Sequence, residues 1–396
     1  MILGGGPNQF PFIKKAKENG LYIILCDMDD ENMSMDYIDK FYKVSIMDKK
    51  EILSIGRSEN IDGIFTSSEP GMYAASYVSE NMNLPGISYE NFSILVNKFK
   101  MKEFLKNNGF NYPKHIIIDK DYDLNKILEE IKSWNSKVII KPTEASGSRG
   151  VNILDDEDNL DKLIKEALSF SRVNQAICEE YIEQKYDFML GGDIYIQDRE
   201  VVFWGLMDSM RDLNINDIVP TGTRFPSSLN DKEINEIKVT INRVINLLEI
   251  SNATFNIEIM FDKKGKLYIN ELNPRSGGNL IPEVLNIATG FDFYKIAPLG
   301  ACNSIKFDGE YDYEKRFIST YVIHSEKDGI LKDIIIEDSL KENIIDEIKY
   351  KELGDKVEVF SNASKKIEIL ILEFENFDEM MYKLRNIKDF INVIVE

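Results

Sequence analysis

Glu258, Glu271 and Asn273 stand in a stretch whose spacing can bring their oxygens together. Residues 254–261 and 266–272 are alternating, β-rich runs joined by Asp262, Lys263, Lys264 and Gly265, which predicts a hairpin. Pairing Phe261 with Lys266 sets Asn256 opposite Glu271 and Glu258 opposite Ile269. Side chains alternate faces with period two, so Glu258, Glu271 and Asn273 then project from one face. Glu258 and Glu271 become diagonal neighbours, roughly 7–8 Å apart at the backbone. Two carboxylates and an amide oxygen, with no thiol or imidazole, suit a hard cation such as Mg²⁺. Arg275 follows beyond Pro274, where it can reach an anion held by that metal. An exposed acidic hairpin would carry the same residues, so the rest of the chain has to decide.

Two other stretches could hold a nucleotide. Val138–Pro142 reads as a strand, and a small-residue loop containing Ser146, Gly147, Ser148 and Gly150 leads to the next strand. Backbone N–H groups of such a loop can cradle phosphates, with Lys141 entering from the strand edge. It is no Walker A loop, because the lysine precedes the glycines and a strand follows. Glu179, Glu180, Tyr181 and Ile182 end a strand at a plausible hinge. An exposed strand end offers a carbonyl and an N–H to an adenine edge. Asp187 lies five residues beyond Ile182, in reach of a ribose hydroxyl.

The elements around these residues fall into a recognisable order. Up to about residue 88, short β-rich runs (2–3, 22–26, 63–65) alternate with amphipathic helical stretches (10–19, 70–81), which predicts a parallel, doubly wound sheet. Gly4, Gly5 and Gly6 with Asp27 imitate a dinucleotide fingerprint. Gln9 stands at the third glycine position and Pro7 in the turn, so a plain glycine turn is the better reading than NAD binding. Residues 98–107 read as a helix, 115–118, 137–141, 151–154 and 176–182 as strands, and 124–133 and 159–171 as helices. An antiparallel section from Phe188 onward is interrupted by a helix over 231–249, N-capped by Asn230. Beyond Cys302 short strands dominate, with helices expected at 339–348 and 377–386.

Composition narrows the function classes. A chain of 396 residues can hold two or three domains. Its net charge of −20 argues against nucleic-acid or anionic-membrane partners. Three scattered cysteines indicate neither a disulfide framework nor a zinc site, and two histidines leave little room for histidine-based catalysis. With no signal-like N-terminus and no run of 18 apolar residues, a cytoplasmic protein is expected.

Taken together, these segments resemble the ATP-grasp superfamily in order and spacing over most of the chain. The resemblance implies an α/β and α+β fold, with an N-terminal doubly wound pre-ATP-grasp domain and a C-terminal mostly β domain. It implies domains at 1–97, 98–300 and 301–396, the second divided into a connection (98–114), an ATP lid (115–185) and a metal and substrate part (186–300). ATP and Mg²⁺, or Mn²⁺ in its place, are the implied cofactors. Lys98 and Lys141 would meet the ATP phosphates together with the loop Ser146, Gly147, Ser148 and Gly150. Glu179, Glu180 and the Ile182 backbone would meet adenine, and Asp187 the ribose, although Glu is more usual there. Glu258, Glu271 and Asn273 would hold the metal. Arg275 would steady the transferred phosphoryl group or the substrate carboxylate. Ser276, Gly277, Gly278, Asn279 and Arg224 (with Arg211) would meet substrate.

The superfamily phosphorylates a carboxylate to an acyl phosphate that an amine then attacks. The sequence looks most like L-amino-acid ligases and the carbamoyl-phosphate-synthase-like group. The expectation is therefore a carboxylate–amine ligase with small-molecule substrates, compatible with a homodimer. Phosphoribosylamine–glycine ligase is the nearest alternative, and a nucleotide-binding regulator without turnover is the non-enzyme alternative.

Overall fold

The computed structural model describes residues 1–145, 149–212 and 216–396. The expected phosphate-loop residues Ser146, Gly147 and Ser148 lie outside them.

Strands Ile2–Leu3, Ile24–Asp27 and Lys40–Lys43 form a parallel sheet in sequential order. Helices Phe10–Glu18, Lys49–Glu59 and Glu69–Met82 accompany it. The strand expected at 63–65 is reduced to a single parallel bridge, Phe65 to Ile2. Gly5 N–H donates to Asp27 Oδ2 at 2.6 Å. The carboxylate that a dinucleotide ribose would need thus closes the glycine turn.

Helices Tyr89–Val96 and Lys98–Asn107 meet at Asn97, whose side chain accepts from Lys100 N–H and caps the second helix. A four-stranded antiparallel sheet follows, in the order His115–Asp119, Gln175–Glu180, Val138–Pro142, Asn152–Leu154. Leu124–Ser133 and Leu160–Phe170 bury Ile127, Ile131, Leu160 and Ile164 against it.

The central sheet has eight strands, all paired antiparallel. Their order is Leu267–Asn273, Ala253–Phe261, Phe188–Gln197, Glu200–Asp212, Asn216–Phe225, Phe317–Ile323, Glu368–Phe374, Ile344–Lys349. Residues beyond 300 therefore continue this sheet across the pairing of Gly222 with Tyr321. Helix Asp231–Leu247 buries Ile237, Ile241, Val244 and Ile245 beneath it, as its apolar stripe predicts. The helix expected at 339–348 is a correction. Only Asp338–Lys341 is helical, and Ile344–Lys349 is a strand paired with the buried strand Glu368–Phe374. Ladder pairing on that edge outweighs the local helical pattern.

The hairpin register is a second correction. Phe261 pairs with Leu267 and Ile259 with Ile269, but Glu258 pairs with Glu271 and Asn256 with Asn273. Asn270 is thus the extra residue of a β-bulge. Without it, Glu271 would pair with Ile257 and share that residue's face, which is packed in the core. The bulge turns Glu271 to the open side and sets it directly across from Glu258. Among the described residues no helix is long and apolar enough to cross a membrane.

Candidate active site

The two sides of the hairpin strand Ala253–Phe261 divide the labour. Phe255, Ile257, Ile259 and Phe261 pack into the core over helix Asp231–Leu247. Thr254, Asn256, Glu258 and Met260 face the other way, and Glu258 and Met260 line a deep cavity. That cavity also takes in Lys98, Lys141, Glu179 and Glu271, from four separate elements.

Charges are paired across it. Lys98 Nζ lies 2.9 Å from Glu271 Oε1 and donates to the Ala145 carbonyl at 3.0 Å. These two side chains are 12% and 25% exposed, so the pair opens on the cavity. Burial alone would lower Lys98, but the Glu271 carboxylate holds it above its ordinary value. Burial would likewise raise Glu271, and Lys98 brings it well below the usual carboxylate range. Glu258 goes the other way, pushed up by burial and by facing Glu271. Asn270 Nδ2 donates to Glu258 Oε2 (2.9 Å), and Asn273 Nδ2 to Glu271 Oε2 (3.2 Å). Deeper in, Lys141 Nζ lies 2.9 Å from Glu179 Oε2. Glu179 Oε1 is buried without a hydrogen-bond partner.

The strand end Glu180, Tyr181 and Ile182 lines the same cavity. Asp187 does not: it lies exposed ahead of strand Phe188–Gln197, and Gln184 lines the wall instead. Gly150 has φ +67 and its backbone lies against Phe170, so a Cβ there would come within 2.7 Å of the ring. Arg211 lines the cavity and attracts Glu258. Arg224 is a correction as a substrate contact. It is 5% exposed, and its Nε donates to the buried Asp208 at 2.8 Å. Arg275 Nη2 is held by Glu69 at 2.9 Å, and its Nη1 donates to Ser276 O. The glycine loop beyond it is anchored from below at Gly277. Gly277 N–H donates to both oxygens of the buried Asp193, at 2.9 Å each, and a Cβ there would come within 2.6 Å of Asn256 Nδ2. Burial raises the Asp193 carboxyl to about 7. Gly278 is exposed, and Asn279 takes a left-handed φ of 52° leading into helix Ile281–Thr289.

Sequence reasoning missed Lys102. It is 2% exposed, and its ammonium donates to the carbonyls of Ile269 (3.1 Å) and Asn270 (2.8 Å) at the bulge. Burial brings it down to about 8. Its spacing of four from Lys98 puts both lysines on one helix face, and that signal was available. Lys102→Met leaves two buried carbonyls without a donor, so the chain should lose about 1–3 kcal/mol in urea unfolding. An unchanged midpoint would show that the bulge does not depend on this lysine.

The profile of an ATP-grasp domain matches residues 95–279, the span from the capping Asn97 to the end of the glycine loop. The chain contains an ATP-grasp domain. Its full-length fold agrees with that of an L-amino acid ligase from Bacillus licheniformis (TM-score 0.78, 17% identity, covering 100% of this chain and 98% of that one). A phosphoribosylglycinamide synthetase from Anaerococcus prevotii gives TM-score 0.69 at 25% identity, covering 100% and 98%. In sequence, this ATP-grasp chain is 26% identical over 313 residues to the carbamoyl phosphate synthase large chain of Thermotoga neapolitana. That alignment covers 75% of this chain and spans only 28% of the relative's length.

Proposed function

We propose that this ATP-grasp protein is an ADP-forming carboxylate–amine ligase that works through an acyl phosphate. The observation that carries the reading is Glu258 directly opposite Glu271, with Lys98 on Glu271 and Lys141 in the same cavity. ATP-grasp domains bind ATP with Mg²⁺, and the donor set fits that pair. Among the described residues no cluster of three or more His, Cys, Asp or Glu forms. The cation would therefore rest on the two facing glutamates and the Asn273 amide oxygen, whose Nδ2 is already spent on Glu271. All three are oxygen donors, as Mg²⁺ prefers. When bound, the ion would screen phosphate charge and stabilise charge in the in-line transfer.

The chain's own residues supply the rest. The unpartnered Glu179 Oε1 can accept from the adenine amino group, beside the backbone of Glu180 to Ile182. Lys98 and Lys141 would turn from their carboxylates to the phosphates, with Ser146, Gly147, Ser148 and Gly150 proposed as further phosphate contacts. Like charges 4 Å apart repel by about 4 kcal/mol at an effective dielectric of about 20, so a carboxylate cannot approach a polyphosphate without these cations. Arg275 would guide the carboxylate oxygen to the γ-phosphorus, with Ser276 beside it. The bond to the ADP oxygen breaks, the amine then attacks the acyl carbon, and phosphate leaves with loss of an amine proton. Asp187 is our proposal for the ribose contact. The domain boundaries 1–97, 98–300 and 301–396 are part of the same reading, as is a cytoplasmic location, where ATP and Mg²⁺ are abundant.

The test is ADP release with Mg-ATP across pairs of carboxylic acids and amines. An acid-dependent rise is expected, and an amine should raise it further. Tight Mg-ATP binding with no acid-stimulated ADP would favour the regulator reading instead. Arg275→Lys keeps the charge but loses the fork, and should raise the KM of the acid while sparing that of ATP.

A further inference from the structure

A second cavity lies behind Arg275, between the N-terminal sheet and the near end of the hairpin. It joins the first. A narrow space lined by Met72 and Arg275, which also line the second cavity, is lined by Lys98 and Ala145, which line the first. Its walls are largely apolar, with Phe12, Phe65, Met72, Ile87 and Phe92. Among the described residues that line it, Arg275 is the only charged one.

Several polar side chains there serve the fold. Thr66 Oγ1 donates to Leu3 O, Ser76 Oγ to Tyr73 O, and Asn252 Nδ2 to Asn303. Thr254 Oγ1 and Ser276 Oγ are different: both are buried and neither has a partner. Thr254 is 7% exposed. A buried hydroxyl without a hydrogen bond is costly, and here two such residues line one chamber. Thr254 also shares its strand face with Glu258, four residues on and so about 13 Å away.

We propose that this chamber seats the body of the acid substrate, with the carboxylate at Arg275 and an uncharged, mainly apolar body hydrogen-bonded to Thr254 and Ser276. The proposal rests on the ligase reading and adds the class of acid. A phosphate-bearing body is disfavoured, because an anion buried there would have no cation beyond the one already shared with Glu69. A second charged group on the body meets the same obstacle.

The test uses six probes that share a carboxylate and differ in body: hexanoate, 4-methylpentanoate and 3-phenylpropanoate against L-glutamate, L-lysine and O-phospho-L-serine. Binding to the full chain is measured by calorimetry with Mg-ADP present. At least one neutral-bodied acid is expected to bind at least about tenfold more tightly than every charged one. Ala75→Leu, on the chamber wall, should weaken that acid at least about tenfold and leave Mg-ADP binding unchanged. Thr254→Val is a gentler second variant, which removes the hydroxyl and keeps the volume, and should weaken the same acid several-fold. Equal binding of charged acids, no binding of neutral ones, or indifference to both variants would overturn the chamber. The ligase reading fails separately. An acid that stimulates ADP release with the same KM in wild type and both variants sinks the chamber alone, whereas a chamber-bound acid that never stimulates ADP release sinks the ligase alone.

Discussion

Glu271→Gln is expected to lower the rate of acid-dependent ADP release at least about 100-fold, equivalent to about 2.7 kcal/mol of transition-state stabilisation. Glutamine keeps the shape and one acceptor oxygen, so the bulge and the bond from Asn273 can persist. What it removes is the charge that faces Glu258 and pairs with Lys98 at 2.9 Å. A cation held by two facing carboxylates would be left with one, which should also raise the Mg²⁺ concentration needed for half-maximal rate. Burial would still push the Glu258 carboxyl up after its facing neighbour is lost, and it would remain one carboxylate where the wild type has two. Measuring ADP release against Mg²⁺ concentration checks both effects. Wild-type turnover with an unchanged Mg²⁺ requirement would remove the hairpin from the metal site.

Lys141→Met should be the costliest single change to stability in the site, at about 3–5 kcal/mol. The Lys141 and Glu179 side chains are 9% and 3% exposed, so the variant strands a carboxylate in the interior. The pH dependence has a definite sign. In the wild type burial raises Glu179, but Lys141 brings it below its ordinary value, so its contribution is present above the unfolded pKa and is lost as pH falls through the folded one. In the variant only the charges of Lys102 and Lys98 still oppose burial, and the folded value rises. The penalty then grows as pH climbs above about 4.3 and shrinks below it, where the stranded group is protonated in both states. Urea unfolding of both proteins at pH 4.5 and pH 7 should show the gap widening at the higher pH. Lys141→Met with Glu179→Leu should recover most of the loss, because no charge is then buried alone. A gap independent of pH would mean that the loss comes from packing.

How much was legible beforehand depended on whether the signal was local. The helix over 98–107, the capped helix from Asp231 and the strand carrying Lys141 follow from periodicity and caps, and the structure has them within a residue or two. The helix expected at 339–348 failed because its isoleucines answer to a buried partner strand, with Ile348 paired to Ile369 and Ile344 to Leu372, which no local window contains. In the site, the grouping of Glu258 with Glu271 was correct while the register behind it was not. An unbulged ladder in the true register would have hidden Glu271, and the extra residue Asn270, with Lys102 on its carbonyl, is what exposes it.

The sequence by itself determined the donor chemistry: two carboxylates, an amide, two lysines and an arginine, in an order that the ATP-grasp profile shares. Chemistry of that kind resides in residue type and spacing. The tertiary structure decided which of those groups share a space and which are spent elsewhere. Arg224 is taken by Asp208, Asp187 stays outside the cavity, and Arg275 meets Glu69 from 206 positions away. Such pairings depend on how sheets and helices stack, and the sequence distance between partners carries no trace of them.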